Sequence, residues 1–192
     1  MCPIMKKYEL KCFYTISKFK RHAELKKELL ESINLAEAEH VLAPGAEVDI
    51  SRGDWYNSTD TERSWVQFIK DPLLDHMSQT YHQVGYDMFQ LRQLWFQQYN
   101  HESGHGWHTH GSNFTNVYYV DLPKDSPRTQ MVLPWDQTTV VEFEVEEGDV
   151  LTFPSFVIHR GPPNIGIEQK TIISFNIDID YPDSQYGKGL TL

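Results

Sequence analysis

From Tyr86 onward the sequence falls into short strand-like stretches, some rich in apolar and aromatic residues and some strictly alternating, divided by Gly, Pro and Asn turns, and this pattern limits the possible folds most. The stretches are Leu91 to Asn100, Asn113 to Leu122, Thr138 to Val145, Val150 to Pro154 and Lys170 to Ile179. A period of two places alternate side chains on opposite faces of a strand. In the last stretch Thr171, Ile173, Phe175 and Ile177 then share one face, and Lys170, Ile172, Ser174 and Asn176 the other. Several short strands following a run of helices imply a mainly β fold with flanking α-helices, a β-sandwich or jelly roll.

The residues before Tyr86 read differently. Lys7 to Thr15 alternates as a strand. Ser17 is suited to cap a helix running to about Glu39, with Phe19, Ala23, Leu30 and Ile33 on its apolar side. Lys18, Lys20, Arg21, Lys26 and Lys27 form a basic, solvated face. Val48 to Trp55 reads as a short strand or loop, and no role follows for Asp54 or Trp55. One helix carries Trp65, Phe68 and Ile69. A second begins at Asp71-Pro72, carries Leu74, Met77, Tyr81 and Val84, and ends at Gly85. His76 and His82 lie off that stripe and are expected to be exposed. These helices have the character of a cover for one face of a sheet. The tail after Tyr181 has no periodicity.

At 192 residues the chain suits one domain, with a helical and mixed part over 1–85 and a jelly-roll core over about 86–180. A net charge of −10 argues against a protein that grips nucleic acid by its phosphates. No apolar run has the length of a membrane span and no signal peptide opens the chain, which points to a cytoplasmic protein. Cys2 and Cys12 lack metal-like spacing and read as free cytosolic thiols. Oligomeric state stays open, a homodimer being one option.

Chemistry concentrates between Trp95 and His159. His108 and His110 are one residue apart, so on an extended strand both imidazoles face the same side and can meet one metal ion. His159 closes a later strand-like run that enters a Gly/Pro loop. Imidazole suits Fe, Zn, Cu or Ni, so residue type alone does not name the metal. Tyr99 lies on the preceding segment and can point into the same cavity. Lys170 is either solvated at a strand end or buried near the metal, where it demands an anionic partner. Trp95, Trp107, Asn116, Tyr118 and Arg160 either line the mouth of this cavity or, for the aromatics, belong to the core.

The stretch WFQQYN…HGWHTHGSNFTNVYYVDLP, followed by EEGDVLTFPSFVIHRGPPNIGIEQKTIISFN, resembles the double-stranded β-helix of Fe(II)/2-oxoglutarate-dependent oxygenases. It is most similar to a group of bacterial and phage oxygenases, over roughly Leu91 to Asn176. The resemblance implies that His108 and His159 ligate iron, with His110 standing where the family carries Asp or Glu. It implies that Tyr99 and Lys170, with Ser174 on the Lys170 face, hold 2-oxoglutarate, Lys170 taking a place where arginine is commoner. The implied activity is hydroxylation of a peptide, amino acid or small metabolite, with release of succinate and CO2.

Two other classes fit part of the pattern. A cupin-like enzyme can use three histidines without any oxoacid, although the glutamate that cupins place after H-x-H is missing from Gly111 to Thr115. A non-catalytic jelly-roll binding protein would carry the same histidines incidentally. Succinate formation separates the first class from the second, and oxygen consumption separates both enzymes from the third.

Overall fold

The computed structural model describes residues 12–42 and 48–179. In chain order the elements are β1 (Thr15–Lys18), α1 (His22–Leu35), β2 (Glu39–Val41), β3 (Ile50–Gly53), a 3-10 turn (Trp55–Asn57) and α2 (Ser64–Gln83). The strands β4 (Phe89–Tyr99), β5 (His105–His108), β6 (Phe114–Asp121), β7 (Gln130–Val132), β8 (Val140–Glu142), β9 (Asp149–Pro154), β10 (His159–Gly161) and β11 (Lys170–Ile179) follow. They form a seven-stranded sheet in the order β1-β9-β6-β11-β4-β3-β2 and a four-stranded sheet in the order β5-β10-β7-β8. Two sheets with few helices make the expected double-stranded β-helix, open rather than closed into a barrel.

The alternation along β11 explains the layering. Ile173, Phe175, Ile177 and Ile179 face the helices, where they meet Leu94 and Phe96 of β4, Tyr118 and Val120 of β6, and the apolar sides of α1 and α2. The opposite face of the same strands looks into the space between the sheets. There Tyr99, Val117, Tyr119, Met131, Leu151, Phe153 and Ile172 form a second core. The major sheet is therefore buried on both faces, which is why its central strands are almost wholly inaccessible.

Several local expectations give way. Ser17 is in β1, paired with Val150, and caps no helix; α1 begins at His22. Of the stripe expected on α1, Ile33 is buried but Ala23 is exposed, and the true core face is Leu25, Leu29 and Ile33. The basic face is not simply solvated: Lys18 pairs with Asp149 at 2.7 Å, and Lys26 with Asp121 at 2.7 Å and Glu147 at 2.8 Å, tying α1 to the sheet. Gly148 turns the chain into β9 at φ +85°, and any Cβ there would meet the His22 ring at 2.9 Å.

The two helices expected on either side of Asp71-Pro72 are one, α2, with Pro72 inside it. Trp65, Ile69, Leu73, Met77 and Tyr81 continue one buried stripe across the proline, and that burial offsets the lost backbone hydrogen bond. Leu73, not Leu74, is the stripe member. His76 is not an exposed surface residue; it accepts or donates a 2.9 Å bond with Ser17 Oγ and packs edge-on against Phe19, whereas His82 is exposed as expected. Gly85 follows α2 at φ +92°, the left-handed position expected for a terminator. The Lys7 to Thr15 strand lies largely outside the described residues, as do Cys2 and the tail; Cys12 is an exposed free thiol. No helix among the described residues is long and apolar enough to cross a membrane.

Candidate metal centre and anion pocket

Strand β10 sits between β5 and β7 in the minor sheet and pairs His159 directly with His108. His110 lies just past β5, where its backbone N–H donates to Ser155 O at 2.9 Å. This brings His108, His110 and His159 together, with one ring nitrogen of each within 4.8 Å of the others. Their second nitrogens are already engaged. Nδ1 of His108 lies 2.7 Å from Gly106 O, that of His159 2.9 Å from Val157 O, and that of His110 2.8 Å from Asn176 Oδ1. Each contact requires Nδ1–H as donor, so Nε2 keeps its lone pair in all three rings. Carbonyl and amide partners of this kind fix the tautomer and orientation of metal-bound histidines.

Burial lowers the pKa of each ring. His108 falls to about 4, and His110 and His159 also lie below the ordinary histidine value, desolvation being the largest cause in every case. Neutral imidazole is the form a metal ion binds. The donor set therefore fits a divalent transition metal held by nitrogen.

One wall of the pocket belongs to the major sheet. Tyr99 of β4 pairs in register with Lys170 of β11, and both side chains, with Ile172, Ser174 and Gln97, line the same space as the three histidines. Lys170 is 2 % exposed. Its Nζ donates to Pro127 O at 2.7 Å and lies 5.5 Å from the Tyr99 ring centre, but no carboxylate of the described residues pairs with it. Burial, with a smaller contribution from Arg128, pushes its pKa down to about 7. Tyr99 is pushed up by the same desolvation and stays a neutral hydroxyl. Ser174 Oγ donates to Gln97 Oε1 at 3.2 Å.

All six residues singled out from the sequence thus meet in one pocket, joined by Trp95 and Arg160. Trp107 is exposed beneath the Arg160 guanidinium, 4.5 Å from its ring centre. Asn116 and Tyr118 do not reach the pocket; they face the helices and bond to Tyr81 and His22. Two important neighbours escaped the sequence reading. His105 stacks on His108 at 3.8 Å between ring centres, because a β-bulge opposite His159 and Gly161 rotates it onto the pocket side. Regular alternation would have sent it the other way. Asn176, visible in sequence only as a member of the Lys170 face, orients His110 and is itself held by Thr115 and Gln93.

The two-sheet architecture is shared with solved structures of 2-oxoglutarate/Fe(II) oxygenases. A 2OG-Fe(II) oxygenase family oxidoreductase from Burkholderia pseudomallei superposes with a TM-score of 0.69 at 13% identity, covering 86% of this chain and 84% of that one. A prolyl-4-hydroxylase from Pseudomonas putida gives 0.62 at 14% identity over 87% and 92%. HygX from Streptomyces hygroscopicus, solved with nickel and 2-oxoglutarate bound, gives 0.65 at 9% identity over 88% and 83%. No protein-family profile and no curated protein sequence matches the chain.

Proposed function

We propose that the protein is an Fe(II)- and 2-oxoglutarate-dependent dioxygenase that hydroxylates a peptide, amino acid or small metabolite, releasing succinate and CO2. The observation that carries this reading is the adjacency, in one pocket, of three converging imidazoles and a buried lysine without a carboxylate partner. His108, His110 and His159 would hold the iron. Lys170 would pair with the distal carboxylate of the 2-oxo acid, with Tyr99 and Ser174 offering hydroxyls beside it. A metal bound here supplies oxygen activation when the oxoacid is present. The chain's own contribution is to keep the rings neutral and oriented and to hold the Lys170 amine in the same pocket. His110 in place of a carboxylate leaves the donor set without negative charge, and no carboxylate of the described residues pairs directly with Lys170.

Oxygen-free titration with Mn(II) tests the metal site. His159→Ala should weaken binding by well over tenfold, and His82→Ala, on an exposed helix position, should not change it. Equal affinity in wild type and His159→Ala overturns the assignment. Succinate formation on aerobic incubation with Fe(II) and 2-oxoglutarate separates this reading from a three-histidine enzyme that uses no oxoacid.

A further inference from the structure

Beyond the histidines lies a second, larger cleft that opens to solvent. Trp95, Gln97, His105, His108 and His110 form the wall that both spaces share. The chemistry of the two sides differs. The inner side contains Lys170 and Arg160, whereas no Asp, Glu, Lys or Arg of the described residues lines the outer one. In a chain with 23% charged residues, a cleft of this size with no charge among its described lining residues is poorly matched to a charged occupant, which would be desolvated without a partner.

What the cleft does offer is apolar surface and one unused donor. Leu42, Trp55 and Tyr56 are exposed within it, and the Trp55 and Tyr56 rings meet edge to face at 5.5 Å between centres. These aromatics are held rigidly. Asp54, directly before them, is buried; it accepts from Trp65 Nε1 at 2.8 Å and Phe96 N at 2.9 Å, and pairs with Arg63. Ser58, directly after the 3-10 turn, accepts the Leu94 N–H at 2.8 Å. Ring surfaces presented on a fixed turn cost little ordering entropy when a ligand covers them. The donor is Trp95. Its side chain is 2 % exposed, lies on the shared wall, and its Nε1–H has no partner among the described residues. A buried donor left unsatisfied is costly, and a bound acceptor removes that cost.

We infer that the outer cleft is the substrate site and that it takes an uncharged, ring-bearing group carrying a hydrogen-bond acceptor. The ring lies against Trp55 and Tyr56, and the acceptor takes the Trp95 indole N–H. This assignment rests on the dioxygenase reading for its word substrate, since it places the ring beside His108 and His110. Asp54 acts as a positioning residue for the aromatic wall.

The test uses the full chain with diamagnetic Zn(II) and saturating 2-oxoglutarate, without oxygen, and three probes of similar shape: 2-naphthamide, 2-naphthoate and 2-naphthylmethylammonium. Binding is followed through the indole N–H signals of ¹⁵N-tryptophan-labelled protein. The neutral amide should bind at least about fivefold more tightly than either ion and should move the Trp95 and Trp55 signals. Trp55→Ala, at an exposed position, should weaken it by about fivefold or more, and Trp95→Phe, which removes the indole donor, should also weaken it by about fivefold while the preference over the ammonium probe persists. Equal binding of all three probes, or an unchanged affinity in Trp55→Ala, overturns the inference and leaves the proposed function standing. Failure of 2-oxoglutarate to bind in the preceding titration, with the amide still selected and still dependent on Trp55, overturns the proposed function while supporting the cleft as a binding site for neutral rings.

Discussion

Asp54 and Lys170 are both buried charges, 3 % and 2 % exposed, yet they are treated in opposite ways. Asp54 is surrounded by donors: the Arg63 guanidinium, the Trp65 indole N–H and the Phe96 amide. Burial still pushes its pKa up, while these three partners pull it down. Lys170 has one backbone carbonyl and two aromatic rings nearby, with Arg128 repelling it and Glu142 attracting it from beyond pairing distance, and burial takes its pKa down to about 7. A charge that serves the fold is supplied with its partners from within the chain. A charge left without an opposite in a pocket marks where a ligand completes the electrostatics.

The sharpest way to break this contrast is stability. Asp54→Ala takes the carboxylate from Arg63 and leaves the Trp65 and Phe96 donors unsatisfied, and should cost about 3–5 kcal/mol in urea unfolding, the range for breaking a buried ion pair. Lys170→Met removes an uncompensated buried charge and keeps the apolar stem, so stability should be unchanged or higher. If Lys170→Met is destabilised as much as Asp54→Ala, Lys170 is a structural residue and the co-substrate assignment fails.

Binding gives the next largest effect. Lys170→Ala should raise the 2-oxoglutarate Kd at least about tenfold, equivalent to about 1.4 kcal/mol, with Mn(II) affinity little changed. Lys170→Arg should keep part of the binding, since the charge survives in a different geometry. Calorimetric titration in the presence of Mn(II) reads all three proteins, and wild-type affinity in Lys170→Ala refutes the pairing.

The pH dependence is smaller and has a definite sign. The folded pKa of Lys170, about 7, lies below its unfolded value of 10.5. Between these the unfolded chain holds more protons, so Lys170 destabilises the fold fully below pH 7, and stability recovers as pH rises through that window. A bound dicarboxylate favours the charged amine. Oxoacid binding above pH 7 should therefore take up a proton, and affinity should fall roughly fivefold from pH 7 to 8. Calorimetry in buffers of different ionisation enthalpy measures the uptake; none at pH 8 would place the carboxylate away from Lys170. The mildest change is His110→Asp, which keeps a ligating atom on the same segment and should hold Mn(II) within about tenfold of wild type. Complete loss, with circular dichroism unchanged, would mean the centre requires three imidazoles and would favour the cupin-like alternative.

The sequence alone determined the strand-rich half and the two faces of β11, because a period of two in a sheet buried on both sides leaves no freedom of register. For the same reason it put His108 and His110 on one side of a strand, and Lys170 and Ser174 on one face of another; that these share a space with His159 and Tyr99 was implied only by the family resemblance, and the pocket does bring all six together. Only tertiary structure decided what interrupts or spans local patterns. Pro72 inside α2 is tolerated because packing on both sides outweighs one hydrogen bond, and Ser17 joins a strand because β9 offers it a ladder. His105 enters the pocket through a bulge that alternation cannot anticipate. Asp54 and Trp55 acquire roles only when β4 and α2 arrive from about ten to forty residues away. Periodicity is written in the chain one residue after the next, whereas a partner for a buried donor or charge exists only once distant segments have closed around it.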